Sequence, residues 1–285
     1  MDGGSIPRAI GAPTLMAVLA HPDDESLGFG GTLAAYAARG VDVHLLTATR
    51  GEAGRYHHFR RGEAGHPGAP ALGAIREREL RAAAAVLGIR SVSLLDYPDQ
   101  HLDAADPREV VDAIAAHLRR VRPDVVLTFG PDGAYGHPDH IAISQFTTAA
   151  IVAAAAAGST DGEPTSGDPA HVVSKLYYVA WPSSTWDGYQ AAFKTLVSAV
   201  DGIERRAVPW PDWAITTAID TRSAVATVLR AVSCHDSQVS VYERLHTLAP
   251  EHLDGIWGRQ HFYRAFSAVN GGRACEADLF EGIIS

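Results

Sequence analysis

The chain of 285 residues is poor in cysteine, lysine and long apolar runs. Only Cys234 and Cys275 are present, so no disulfide framework and no Cys-x-x-Cys zinc or redox motif is available, and a reducing cytoplasm is the expected compartment. The N-terminal stretch from Met1 to Ala20 has one basic residue, Arg8, and a short apolar run, which does not fit a secretory signal. The most apolar segment, Ala149–Ala157, falls far short of the ~20 residues needed to span a bilayer. Basic charge is also scarce: 24 Lys+Arg against 33 Asp+Glu give a net charge of −9, which argues against nucleic acid and anionic membranes as partners. Two of those basic residues are Lys, the rest Arg, and Ala is abundant, a composition typical of a GC-rich bacterial genome.

What is present reads as an α/β protein. Apolar runs at Leu15–Ala20, Val41–Thr47, Ser91–Leu95 and Asp124–Phe129 alternate with helical patterns at Gly28–Arg39, Ile75–Leu87, Pro107–Val121 and Ile141–Ala157. Gly88 stops one helix and Pro107 opens the next. Strand and helix repeated at this spacing predict a Rossmann-like, doubly wound, mostly parallel sheet over residues 12–157. The Gly-, Ser- and Pro-rich segment 158–170 reads as a flexible linker. A smaller C-terminal α/β portion, 171–285, follows: strands at Lys175–Trp181 and Ala214–Ile219, helices at Tyr189–Val200 and Thr221–Ser233, and an aromatic-rich tail. The segment from Gly51 to Gly73 lacks periodicity and reads as a long functional loop.

Two histidine–carboxylate clusters follow predicted strands: His21-Pro22-Asp23-Asp24-Glu25 and His137-Pro138-Asp139-His140. In a doubly wound sheet the strands they follow are neighbours at the topological switch point, where ligands bind. Imidazole and carboxylate are good zinc ligands, and catalytic zinc keeps three protein ligands plus a water. His21 and Asp24 on one tight turn, with His140 from the second cluster, supply such a set. Asp23 lies beside them as a candidate general base. His137 is placed to stabilise an oxyanion or protonate a leaving amine, and Asp139 to orient an imidazole. The same ligands accept Zn2+, Fe2+ or Co2+. His57, His58, His44 and His117 read as loop, strand and helix-face residues.

Together the two motifs resemble those of the LmbE/PIG-L family of zinc-dependent N-acetylglucosaminyl deacetylases, over at least residues 14–157. The resemblance implies that His21, Asp24 and His140 hold zinc, that Asp23 is the base and that His137 is the electrostatic or acid partner. It further implies that Tyr135 is an active-site tyrosine, that Arg76 and Asp99 bind substrate, and that the substrate is a small amino sugar. Glu52 fits a family motif without an assigned role. Ser237-Gln238 after His235 is another family feature without a role, and Trp257, His261, Phe262 and Tyr263 read as packing residues.

Other readings are an amidase for a larger acyl group or natural-product conjugate, and a metal-binding protein without catalysis. A dinucleotide site at Gly28-Phe29-Gly30-Gly31 is disfavoured, because the turn before it carries carboxylates that would repel a pyrophosphate. No Gly-x-Ser-x-Gly elbow supports a serine hydrolase.

Overall fold

The computed structural model describes residues 11–156, 168–192, 197–200, 202–269 and 274–283. The first half runs β1 (Thr14–Leu19), α1 (Asp24–Leu27), α2 (Gly30–Ala38), β2 (Asp42–Thr49), α3 (Ala69–Leu87), β3 (Ser91–Tyr97), α4 (Pro107–Val121), β4 (Val125–Thr128), α5 (Gly133–Gly136) and α6 (Pro138–Ala155). The second half runs β5 (Lys175–Val179), α7 (Trp186–Ala192), β6 (Val197–Val200), β7 (Ile203–Arg206), β8 (Thr217–Asp220), α8 (Val225–Val232), α9 (Val239–Tyr242), α10 (Pro250–Trp257) and β9 (Arg259–Ser267).

Seven strands among the described residues form one sheet in the order β3-β2-β1-β4-β5-β9-β8. The pairings from β3 to β5 are parallel; those of β9 with β5 and β8 are antiparallel. This is the α/β, mostly parallel sheet the alternation predicts. β1 and β4 are buried along almost their whole length, as strands covered by helices on both faces must be. The sheet continues from the first half into the second, with β5, β9 and β8 extending the Rossmann-like part. Residues 158–167 of the expected linker lie outside the described residues.

Local signals set the element ends. Asp106 caps α4 by accepting from the Arg108 N–H at 2.8 Å, with Pro107 behind it. Gly88 ends α3 at φ 76. α6 begins three residues before the predicted Ile141, because His137 caps it and Pro138 is pre-set for a first turn. Asp139 and His140 therefore sit in that first turn. Gly31 lets α2 pack against Thr221, where an added Cβ would lie 2.9 Å from the threonine Cβ; the glycines after β1 serve packing.

The predicted helix Tyr189–Val200 is corrected. The helix is Trp186–Ala192, and Val197–Val200 is a strand paired antiparallel with Ile203–Arg206. Gly202, just before the second of these strands, stands at φ 74, a conformation that suits a tight turn. Trp257 and Phe262 are fully buried in the core, as packing residues, whereas His261 is half-buried and Tyr263 is exposed, against the packing expectation.

Candidate active site

β1 ends into His21 and β4 into Phe129, and these adjacent strand ends bring the two histidine clusters into one crevice. Asp24 is oriented by the backbone: its Oδ2 accepts from the N–H groups of Ala20 at 3.2 Å and His21 at 2.8 Å. Its Oδ1 then lies 3.3 Å from His140 Nε2. His21 Nδ1 lies 3.2 Å from His140 Nε2 and 3.7 Å from Asp24 Oδ2. All three residues are buried.

The far side of the His21 ring fixes which nitrogen faces this triangle. His21 Nε2 is 3.1 Å from Asp139 Oδ2 and 3.2 Å from Asp99 Oδ1. Asp139 is itself held by the N–H groups of Gln100 (2.7 Å) and Leu102 (3.1 Å), and Asp99 by that of Ala53 (2.9 Å). Glu52 accepts from the Asp99 N–H at 2.9 Å, which gives that motif residue a structural role. With Nε2 donating to carboxylates, Nδ1 turns its lone pair towards His140 Nε2. Two ring nitrogens 3.2 Å apart and a carboxylate beside them call for a positive charge between them. Ligand atoms about 2.0–2.1 Å from a tetrahedral ion lie about 3.3 Å apart, which is close to the distances of His140 Nε2 from His21 Nδ1 and from Asp24 Oδ1. Two other groups also have ligand atoms within 4.8 Å of one another: His21, His137 and His140, and His21, Asp99 and Asp139. The site is thus one that could hold a metal ion.

Without an ion, a proton takes that place. Burial works to lower the pKa of His21, but its bonds to Asp139 and Asp99 and the charge of Asp24 raise it to about 10. Burial likewise opposes ionisation of Asp24, yet His140 and His21 hold it well below the usual carboxylate range. Asp99 is pulled down to about 2 by His21 against the effect of burial.

Asp23 follows at φ 109, a left-handed conformation that is uncommon for a residue with a side chain. Its carboxylate meets Arg76, whose Nη2 lies 2.9 Å from Oδ2. Arg76 also donates to the carbonyls of Gly51 (2.8 Å) and Pro22. His137 Nδ1 accepts from the Asp139 N–H at 3.2 Å, so its neutral ring carries the proton on Nε2. Burial, then the neighbouring His21 and His140, push the His137 pKa down to about 3, which keeps the ring neutral. Tyr135 stands edge-on to His137 and His140, with ring centroids 5.8 and 5.5 Å away. Burial pushes its phenol pKa up.

All nine candidate residues are brought together except in one respect: Asp139 lies behind His21, while the other eight line one cavity of ≈ 270 Å³. Among the lining residues that sequence reasoning missed are Phe129, Trp181, Tyr189 and Gln238. Phe129 stacks flat on His140, 3.9 Å between centroids. Its position as the last apolar residue before the segment that leads to the second histidine cluster was the available signal.

The PIG-L family, described as GlcNAc-PI de-N-acetylase, matches residues 16–151. A 1D-myo-inositol 2-acetamido-2-deoxy-alpha-D-glucopyranoside deacetylase of Rhodococcus jostii is 36% identical, over 94% of this chain and 98% of its own. The chain belongs to the PIG-L family. The enzyme of the same description from Kineococcus radiotolerans is 34% identical over 94% of this chain and 82% of its own. Among solved structures, the conserved protein TT1542 of Thermus thermophilus is 26% identical with a TM-score of 0.61, covering 90% of this chain and 96% of that one. GalB, a 4-carboxy-2-hydroxymuconate hydratase from Pseudomonas putida, shares the fold at a TM-score of 0.65 and 22% identity, covering 92% of this chain and 100% of its own. The PIG-L fold therefore carries more than one chemistry, and the site residues must decide which. Among the described residues no helix is long and apolar enough to cross a membrane.

Proposed function

We propose that this chain is a metal-dependent N-deacetylase acting on a small sugar of the N-acetylglucosamine type. The observation that carries the reading is the triangle of His21 Nδ1, Asp24 and His140 Nε2 with Asp23 beside it. Relatives named as deacetylases over nearly the whole chain support it. His21, Asp24 and His140 would hold the ion, with Zn2+ favoured and Fe2+ or Co2+ acceptable to the same ligands. His137 is the weaker ligand candidate, because its Nδ1 already accepts a backbone N–H.

When bound, such an ion supplies a Lewis acid that acidifies water and polarises a carbonyl. The chain's own residues do the rest. Asp23, held by Arg76, accepts a proton from the attacking water. The water oxygen adds to the acetamide carbon. The neutral His137 then donates its Nε2 hydrogen bond to the developing oxyanion. Asp23 returns the proton to the nitrogen as the C–N bond breaks, leaving acetate and a free amine. Asp139 and Asp99 keep the His21 ring in place. Tyr135 closes one wall of the site. Trp181, Tyr189 and Gln238 line the cavity, so the C-terminal portion completes the substrate pocket. Asp99 and Arg76 sit at its polar side, where sugar hydroxyls would bind.

The test is primary-amine release from N-acetylglucosamine derivatives, including an inositol glycoside, by Zn2+-loaded and chelated protein. Release by the loaded protein that chelation removes is expected. No release from any of the sugars by a protein shown to hold one ion per chain would overturn the deacetylase reading.

A further inference from the structure

The His235-x-Ser237-Gln238 segment belongs to the C-terminal portion, yet three of its side chains reach into the first half. His235 precedes a single 3-10 turn, Asp236–Gln238. Ser237 uses both its N–H and its Oγ on the Glu79 carboxylate, each at 2.7 Å. Gln238 donates to the Arg55 carbonyl at 2.7 Å and lines the cavity. His235 goes deepest: its Nε2 lies 2.7 Å from Glu25 Oε1, and both side chains are fully buried.

Glu25 is the last residue of the first histidine–carboxylate cluster. It touches neither His21 nor His140 by any described hydrogen bond. Its Oε2 accepts from the Asp23 N–H at 2.9 Å, and its Oε1 takes the Ser26 hydroxyl at 2.6 Å beside His235. The bond to the Asp23 N–H closes a ring around the one residue of the turn in the left-handed region. That conformation is strained for a residue with a side chain and persists only where its surroundings hold it. The carboxylate of Glu25 is such a hold, and His235 fixes that carboxylate from 210 residues away along the chain.

We propose that Glu25 and His235 are positioning residues for Asp23: His235 Nε2 anchors Glu25, and Glu25 pins the Asp23 backbone so that its carboxylate faces the reacting centre. This rests on the deacetylase reading for its kinetic consequence and on the geometry alone for its structural one. Only one imidazole nitrogen is used. His235 Nδ1 has no hydrogen-bond partner among the described residues. A glutamine side chain places an amide N–H at the reach of Nε2, whereas an asparagine side chain places it at the reach of Nδ1.

The experiment compares His235→Gln, His235→Asn, Glu25→Gln and the Glu25→Gln/His235→Asn double variant with the wild type. It reads kcat, KM, bound metal and the Asp23 φ in crystal structures. His235→Asn and Glu25→Gln should lower kcat by about ten- to a hundredfold, as a displaced reacting group does, with KM and metal content nearly unchanged. His235→Gln should recover most of the loss. The double variant should be no worse than Glu25→Gln, since both act on one link. Equal activity in the Gln and Asn variants, or additive losses in the double variant, would overturn the proposal. Should wild type itself release no amine, the deacetylase reading fails separately. The proposal is then judged on Asp23: it stands if φ leaves the left-handed region in His235→Asn but not in His235→Gln, and falls if φ is the same in both.

Discussion

Asp23 Oδ2 and Arg76 Nη2 lie 2.9 Å apart, and the same guanidinium spans the carbonyls of Gly51 and Pro22 on either side. Arg76 thus ties the turn after β1 to the loop after β2. A residue expected to grip the sugar also aligns the carboxylate proposed as the base. An ammonium cannot reproduce a planar fork that serves three acceptors.

Arg76→Lys is therefore expected to lower kcat by about tenfold or more, in addition to any rise in KM. Steady-state kinetics on the best sugar substrate checks this. A rise in KM alone would confine Arg76 to substrate binding.

Asp23→Ala should retain bound metal while turnover falls by about 10²- to 10⁴-fold, the usual contribution of a general base. Elemental analysis and amine release on the same preparation measure both. Activity near wild type would remove Asp23 as the base.

Asp139→Asn removes one of the two carboxylates that face His21 Nε2 and leaves Asp99 alone to fix the ring whose other nitrogen faces His140. Metal affinity should fall about 10- to 100-fold. Competition with a chromophoric chelator reads it, with His140→Ala as the reference for a lost ligand.

In the metal-free protein the pKa of His21 stands at about 10, above its ordinary 6.5. Its contribution to stability is therefore complete below about pH 6.5 and is lost as pH rises through 10. An ion must displace that proton, so metal affinity should climb by about tenfold per pH unit below 10. Calorimetry in buffers of different ionisation enthalpy should count about one proton released per ion from this residue near neutral pH. A pH-independent affinity between pH 6 and 8 would show that no proton is displaced.

Phe129 stacks on His140 and is almost fully buried. Phe129→Ala should cost about 3–5 kcal/mol of stability through the cavity it leaves. Urea unfolding of the chelated protein measures it, and added metal should recover part of the loss by mass action.

The parallel sheet was legible because its strands are continuous apolar runs closed by Gly88, Pro107 and similar local signals. The site was legible because two His-Pro-Asp clusters each follow a strand, and the switch-point rule joins strands that are far apart in sequence. What escaped reading is tertiary. The Phe129 stack, the Arg76–Asp23 pair and the His235–Glu25 contact each depend on which elements become neighbours, and no local pattern records that. The strand pair Val197–Val200 and Ile203–Arg206 differs from the expected helix for another reason: four residues are too few for periodicity to separate strand from helix.

β9 is among the last strands made, yet it sits inside the sheet, covering the edge of β5 and carrying β8 on its far side. During synthesis the first half can lay down β3-β2-β1-β4 and then β5, but the β5 edge stays unpaired until residues 259–267 have left the ribosome. His235 comes late as well. A nascent chain would thus hold the histidine–carboxylate crevice well before it holds the anchor for Asp23, and hydrolytic competence would arrive only as the sheet is sealed.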